Sequence, residues 1–268
     1  MSHTEPPLSE LALRTVRVGA LELQDLRRGE LVDHIFTQLE SGRGGWVFTA
    51  NLDHLQRCAR QPEYAALYSE ADIRVADGTP LIWAARLSGT PLADRVAGSD
   101  LVWLVAAAAE RHGRSIYLLG GAPGAAEGAS EVLLARWPSL KICGLGAPDL
   151  SLPPTADEVE SAIALLAAAR PDIVYLGFSS PKQEYFIRLA RKRLPTIWFL
   201  GVGISLSFIA GHVRRAPRWM QRTGLEWLHR MWQEPRRLAR RYLVDGLPFA
   251  VRLLWGAWFA RRRRTDLI

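Results

Sequence analysis

Ser115-Ile116-Tyr117-Leu118-Leu119, then Gly120-Gly121-Ala122-Pro123-Gly124, then a stretch of helical period from Ala125 to Trp137, then Leu140-Lys141-Ile142-Cys143: this succession decides the fold. A short apolar run with β-branched and aromatic members reads as a buried strand, the glycines as its exit turn and the periodic stretch as a helix. Strand, helix, strand implies parallel pairing with helices on both faces. The unit recurs outward. Strands are predicted at Trp46-Val47-Phe48-Thr49, Ile73-Arg74-Val75-Ala76, Asp172-Ile173-Val174-Tyr175-Leu176 and Thr196-Ile197-Trp198-Phe199-Leu200, and helices over Ser99–His112, Ala156–Arg170 and Pro181–Arg193. Residues 8–40 read as a small strand and helix leading in. The expectation is a mostly parallel α/β sheet over residues 1–200, extending to about 213, with an appendage over 214–268.

Several strands end in small-residue turns: Ala76-Asp77-Gly78, Gly120 to Gly124, Gly177-Phe178-Ser179-Ser180-Pro181 and Gly201-Val202-Gly203. Ligands of open α/β sheets sit beyond the carboxyl ends of the strands, so a site is expected among these turns. Gly120 to Gly124 stands where a glycine turn and a helix N-terminus can hold a phosphate; a tight turn that simply needs glycine is the other reading. Asp77 before Gly78, with Thr49-Ala50-Asn51 after the neighbouring run, suits a general base beside a hydroxyl and an amide, and a plain Asp-Gly turn is the alternative. Arg95, shortly before a helix, could pair bidentately with a diphosphate.

The 268 residues are 49% hydrophobic and 23% charged, which excludes collagen-like, coiled-coil and wholly disordered classes. No P-loop, HExxH or GxSxG occurs. Cys58 and Cys143 lack metal spacing and suggest a reducing compartment, and MSHTEPPLSELALR has no apolar core of a signal peptide, so a cytoplasmic location is expected. His112, His212 and His229 are scattered without a second ligand, so no metal is expected.

The net charge of +7 is unevenly spread. Residues 1–200 carry 20 Lys+Arg against 23 Asp+Glu, whereas residues 201–268 carry 14 Arg against 4 acids and five of the ten Trp. A solvated helix face, a nucleic-acid surface and an anionic membrane surface all fit such a segment. The apolar stretch LPFAVRLLWGAWFA followed by Arg261 to Arg264 favours an interfacial anchor and no nucleic acid. Asp245 and Arg252 interrupt the most hydrophobic segment of the tail, so a spanning helix is not expected.

In order along nearly the whole chain, Thr49-x-Asn51, Ala76-Asp77-Gly78, Arg95-Val96-x-Gly98-Ser99-Asp100, Gly120-Gly121-x-Pro123-Gly124, Gly177-x-x-x-Pro181-Lys182-Gln183-Glu184 and Gly201-Val202-Gly203 resemble the WecG/TagA/CpsF family of bacterial glycosyltransferases. Ala210-Gly211-x-x-x-Arg215-Ala216-Pro217, Gly224-Leu225-Glu226-Trp227-Leu228-x-Arg230 and Glu234-Pro235-x-Arg237-x-x-Arg240-Arg241-Tyr242 continue the resemblance. It implies a Rossmann-like fold and an inverting, metal-independent transfer from a UDP-sugar, which is a substrate rather than a cofactor, to a saccharide on undecaprenyl diphosphate. Asp77 would be the catalytic base, with Thr49, Asn51 and Arg95 beside it. Gly120, Gly121, Gly124, Gly177, Gln183 and Gly203 would line the nucleotide end, and Arg230, Arg237 and Arg240 would serve the lipid diphosphate. Ser207 replaces an acid that relatives often carry. The donor (glucose, N-acetylmannosamine or its uronic acid), the polymer pathway (exopolysaccharide, teichoic acid or antigen) and homo-oligomerisation are left open. The expected place is the cytoplasmic membrane face, held peripherally. A non-catalytic, membrane-associated nucleotide-binding protein is the alternative.

Overall fold

The structure, a computed structural model, describes residues 13–265. The start of the N-terminal stretch discussed above and the side chains of Arg263 and Arg264 lie outside the described residues. The chain runs β1 (Thr15–Val18), β2 (Leu21–Gln24), α1 (Arg28–Glu40), β3 (Gly45–Ala50), α2 (Leu52–Arg60), α3 (Glu63–Ser69), β4 (Ile73–Ala76), α4 (Thr79–Leu87), α5 (Gly98–His112), β5 (Ser115–Leu119) and α6 (Ala125–Arg136). It continues through β6 (Lys141–Gly146), α7 (Ala156–Ala169), β7 (Ile173–Leu176), α8 (Lys182–Arg193), β8 (Trp198–Gly201) and α9 (Ser205–Ile209).

Six strands form one sheet in the order β4-β3-β8-β7-β5-β6, every pair parallel. All six expected strands are present. Their side chains alternate between two buried layers, as the pleat requires. Trp46, Phe48, Tyr117, Leu119, Val174, Leu176 and Phe199 enter one core; Val47, Ile116, Leu118, Ile173, Tyr175, Trp198 and Leu200 enter the other. The result is a three-layer α/β/α, Rossmann-like body.

The lead-in differs from expectation. It holds two strands rather than one, an antiparallel hairpin apart from the main sheet, because Gly19 at φ +59° turns the chain back after Val18.

The tail is helical: α10 (Arg218–Thr223), α11 (Glu226–Gln233), α12 (Pro235–Ala239), a π-helical turn over Arg240–Gly246 and α13 (Leu247–Thr265). The tail ends in a longer helix than its interrupted apolar sequence suggests. Pro235–Arg262 is one continuous helix of 28 residues, long and apolar enough to cross a bilayer by length and composition, since Asp245 and Arg252 are its apolar window's tolerable charges. Its inner face is nonetheless bound to the body. Phe249, Leu253, Leu254 and Ala257 pack on the first core, and Asp245 pairs with Arg60 at 2.7 Å. Its outer face exposes Val244, Leu247, Val251, Trp255 and Trp258, three to four residues apart and so on one side.

Candidate active site

Asp77 is fixed by the sheet. β4 ends at Ala76, and the N–H groups of Asp77 and Gly78 both donate to Ala50 O at 2.7 and 3.1 Å, stitching the exits of β3 and β4 together. The β4 exit passes so close to the β3 exit that a Cβ on Gly78 would lie 3.1 Å from Asn51 Cα. Thr49 lies beside Val75 in the register, and its Oγ1 lies near the first residue of α5, Gly98. Thr49, Asp77 and the α5 N-terminus therefore share one edge.

Arg95 leans over this edge. Its Nη1 lies 3.7 Å from Asp77 Oδ1 and 3.8 Å from Glu226 Oε2, and its Nη2 lies 3.8 Å from Asp100. Arg215 completes the cluster, reaching Asp100 at 2.6 Å and Glu226 at 3.2 Å, and Arg28 approaches Asp100 at 3.6 Å. The Asp77 carboxyl is 29% exposed. Burial is the main force raising its pKa, to about 6; Arg95 and Arg215 oppose it and Glu226 and Asp100 assist it.

Asn51 does not point freely into the site. Its side-chain carbonyl caps α2, accepting from the N–H groups of Asp53 and His54. His54 Nδ1 accepts from Asn51 N–H at 3.1 Å, which leaves the imidazole proton on Nε2, 3.1 Å from Ser180 Oγ. Burial lowers the His54 pKa to about 3, so the ring stays neutral. This histidine joins the Thr49–Asn51 loop to the Gly177–Pro181 turn. Beneath it, Glu184 is fully buried and accepts from Gln183 Nε2 at 3.0 Å. Gln183 is itself buried against Gly201, and its Oε1 has no donor among the described residues.

The glycine turns interlock along the same edge. Gly120, Gly121 and Gly124 have φ of +88°, +102° and +75°, and a Cβ on Gly177 would strike Gly121 N at 2.8 Å. Gly203, at φ +52°, donates its N–H to Leu176 O. From the β4 exit to the β5 exit is four strand spacings, about 19 Å. Ser207 is buried in α9.

The appendage closes over Asp77 more tightly than sequence reasoning assigned. Gly224, left-handed at φ +76°, lies against Thr79 just after Gly78, and the turn delivers Glu226 to Arg95 and Arg215. Neither Glu226 nor Arg215 was given a role by the sequence; both lie in quoted blocks, which was the available signal. Arg230 is half-buried, and its Nε, like Arg215 Nη2, has no hydrogen-bond acceptor among the described residues. Arg237 turns onto Glu234 at 2.6 Å and Arg240 is exposed, whereas Arg241 reaches the body, pairing with Asp53 at 2.9 Å.

Among the described residues, no group of three or more His, Cys, Asp or Glu is placed to hold a metal ion. Comparison with known proteins agrees with this architecture. The N-acetylglucosaminyldiphosphoundecaprenol N-acetyl-beta-D-mannosaminyltransferase of Bacillus spizizenii is 29% identical over 229 residues, covering 85% of this chain and 87% of the relative. The profile of the glycosyl transferase WecG/TagA/CpsF family matches residues 16–264, from the first strand to the last turns of α13. A chain matched over that length, with the matched blocks gathered on one sheet edge, belongs to the WecG/TagA/CpsF family of glycosyltransferases.

Proposed function

We propose that this glycosyltransferase moves a sugar from a UDP-sugar to a saccharide on an undecaprenyl-diphosphate carrier in cell-surface polysaccharide synthesis, with inversion. The observation that carries the reading is Asp77: a carboxylate set at a strand exit with a pKa raised to about 6, next to an arginine cluster. A base works best when its pKa lies near the working pH. In the proposed step the acceptor hydroxyl attacks the anomeric carbon and its proton passes to Asp77, while the bond from that carbon to the diphosphate oxygen breaks on the opposite face. UDP leaves in a single displacement without a covalent intermediate. Thr49 orients the acceptor beside Asp77. The interlocked turns Gly120–Gly124 and Gly177–Pro181 hold the nucleotide through the backbone N–H groups that follow Gly120 and Gly177, with Gly203 and Gln183 alongside, since the N–H groups of Gly120, Gly177 and Gly203 are spent on Gly146 O, Leu119 O and Leu176 O.

Leaving-group charge is offset by fixed positive groups rather than by a metal. Arg215 Nη2 supports this assignment, since a buried guanidinium donor without an acceptor among the described residues suits a phosphate oxygen, and Arg230 Nε, likewise without one, suits the lipid diphosphate of the acceptor. The relative's name specifies an N-acetylglucosaminyl diphospholipid acceptor, and a lipid acceptor suits the outer face of α13. There Trp255 and Val251 are exposed and Arg262 stacks over Trp258 at 3.7 Å. Such an apolar stripe flanked by arginines seats at an anionic membrane surface, here the cytoplasmic one.

The test incubates the protein with a panel of UDP-sugars and a lipid diphosphate acceptor and weighs the lipid product. A mass gain of one sugar with one donor, and UDP released in step, is expected. UDP binding with no product for any donor would instead fit a non-catalytic nucleotide-binding protein.

A further inference from the structure

We propose that Glu226, carried on the appendage, is a positioning residue that keeps the Arg95 guanidinium from closing on the carboxylate of Asp77 and so keeps that carboxylate a stronger base. The inference rests on the reading of Asp77 as the base. The geometry is specific. One nitrogen, Arg95 Nη1, is shared between Asp77 at 3.7 Å and Glu226 at 3.8 Å, while Nη2 faces Asp100. Both contacts are longer than a charge-assisted hydrogen bond, while the same nitrogen donates to the main-chain carbonyl of Asp77 at 3.4 Å, so Arg95 is seated on the backbone of Asp77 with its charge shared between carboxylates rather than committed to one. Glu226 in turn is anchored by Arg215 Nε at 3.2 Å, and Arg215 by Asp100 at 2.6 Å. Withdrawal of Glu226 leaves Asp77 and Asp100 as the carboxylates facing Arg95, and a guanidinium freed on one side closes on the carboxylate that remains there. An Asp77 clamped by Arg95 is a weaker base and has less room for an acceptor hydroxyl.

Charge acts in the same direction as position. The ionisable groups that bear on Asp77 are Arg95 and Arg215, which favour its ionised form, and Glu226 and Asp100, which disfavour it. Removing Glu226 deletes one of the two acids that keep Asp77 basic. Glu226 begins α11, immediately after the turn at Gly224 that seats against Thr79. Its charge therefore arrives at the site only when that turn is seated, which links docking of the tail to the strength of the base.

The test uses the full chain with Glu226→Gln, which keeps the size and removes the charge, and follows the Asp77 carboxyl by carbon-13 NMR, with Asp77→Asn identifying its resonance. Expected are an Asp77 pKa at least about half a unit lower than in the parent and a matching shift of the acid limb of kcat/KM. Turnover above pH 7 should fall severalfold. Glu226→Asp, which retains a charge, should move the titration less than Glu226→Gln and recover part of the turnover. An unmoved Asp77 titration in Glu226→Gln, whether or not turnover falls, overturns the inference, because a purely structural Glu226 would lower activity without moving it. Failure of the underlying reading shows separately, as parental transfer rates in Asp77→Asn.

Discussion

Replacing Gly224 by alanine should loosen the appendage while leaving the α/β body folded. Gly224 sits at φ +76°, and a Cβ there would fall 2.7 Å from Thr79 Cγ2 and 3.0 Å from its Cβ. The left-handed backbone alone costs an alanine about 1–2 kcal/mol. Thr79 opens α4 directly behind Asp77-Gly78 and cannot retreat without moving that turn, so the overlap adds to the penalty. A loss of 1–2 kcal/mol changes an equilibrium by roughly five- to thirtyfold. Because the strain exists only while the turn is seated, it falls on the docking equilibrium and not on the sheet. Native-state digestion with dilute trypsin measures this, since cleavage after Arg218, Arg222 and Arg230 follows the open population when reclosing is fast. Cleavage in the tail should rise at least about fivefold, with the thermal midpoint of the body within a few degrees of the parent. Gly224→Asn, which tolerates the backbone but keeps the Cβ, should fall between the two proteins. A Gly224→Ala tail digested at less than twice the parental rate would refute the claim that this contact seats the appendage.

Asp77→Asn should keep UDP affinity within a few fold and lose at least about 10²-fold in transfer. In the parent, where the base must be ionised and its pKa is raised to about 6, kcat/KM should be half its plateau near pH 6 and fall as pH drops further; a flat profile from pH 5 to 8 would remove Asp77 from the role. Thr49→Ala should cost less, about 1 kcal/mol or fivefold, as one neutral hydrogen bond, and an effect larger than that of Asp77→Asn would reverse the two roles. Transfer should survive EDTA, because arginines carry the diphosphate in this mechanism; loss restored by Mg²⁺ or Mn²⁺ would disprove it. Deleting residues 246–268 removes Leu247, Val251, Trp255 and Trp258 of the exposed stripe with Arg252 and Arg261 to Arg264, at about 1 kcal/mol of anionic-surface attraction per arginine, and should abolish most cosedimentation with anionic vesicles at low salt. Undiminished vesicle binding by that deletion would exclude α13 as the anchor.

The strands and the long helices were legible because periodicity is a local property. Val174 and Leu176 on one face with Ile173 and Tyr175 on the other leave a continuous apolar run, and Gly98–His112 keeps its period over four turns. The segment between β3 and α5 was not read as helical. Its three helices have seven to nine residues each, too short to display a period. Asp77 was legible as a base candidate because its neighbours in sequence are its neighbours in space. Glu226 was not, because its link to Arg95 passes through a left-handed turn and a docked helix pair. Asn51 was legible only as a neighbour of the base; that its side-chain carbonyl caps α2 depends on the fold. The length of the tail helix was not legible, because Asp245 and Arg252 divide its apolar residues in the sequence, whereas in the fold Asp245 is paired with Arg60.

The place of β8 has a consequence for how the molecule is made. The last strand in sequence is inserted at the centre of the sheet, between β3 and β7. Until Trp198–Gly201 has been synthesised and has paired on both edges, the chain holds two separate half-sheets, β4-β3 bearing Asp77 and β7-β5-β6 bearing the glycine turns. Each has an unpaired parallel edge open to wrong partners. Pairings so distant in sequence are slow to close, so nascent chains ending short of residue 198 should be the species that engage chaperones. The halves of the site are brought into register by one strand of four residues, and assembly of the sheet and assembly of the active centre are a single late event.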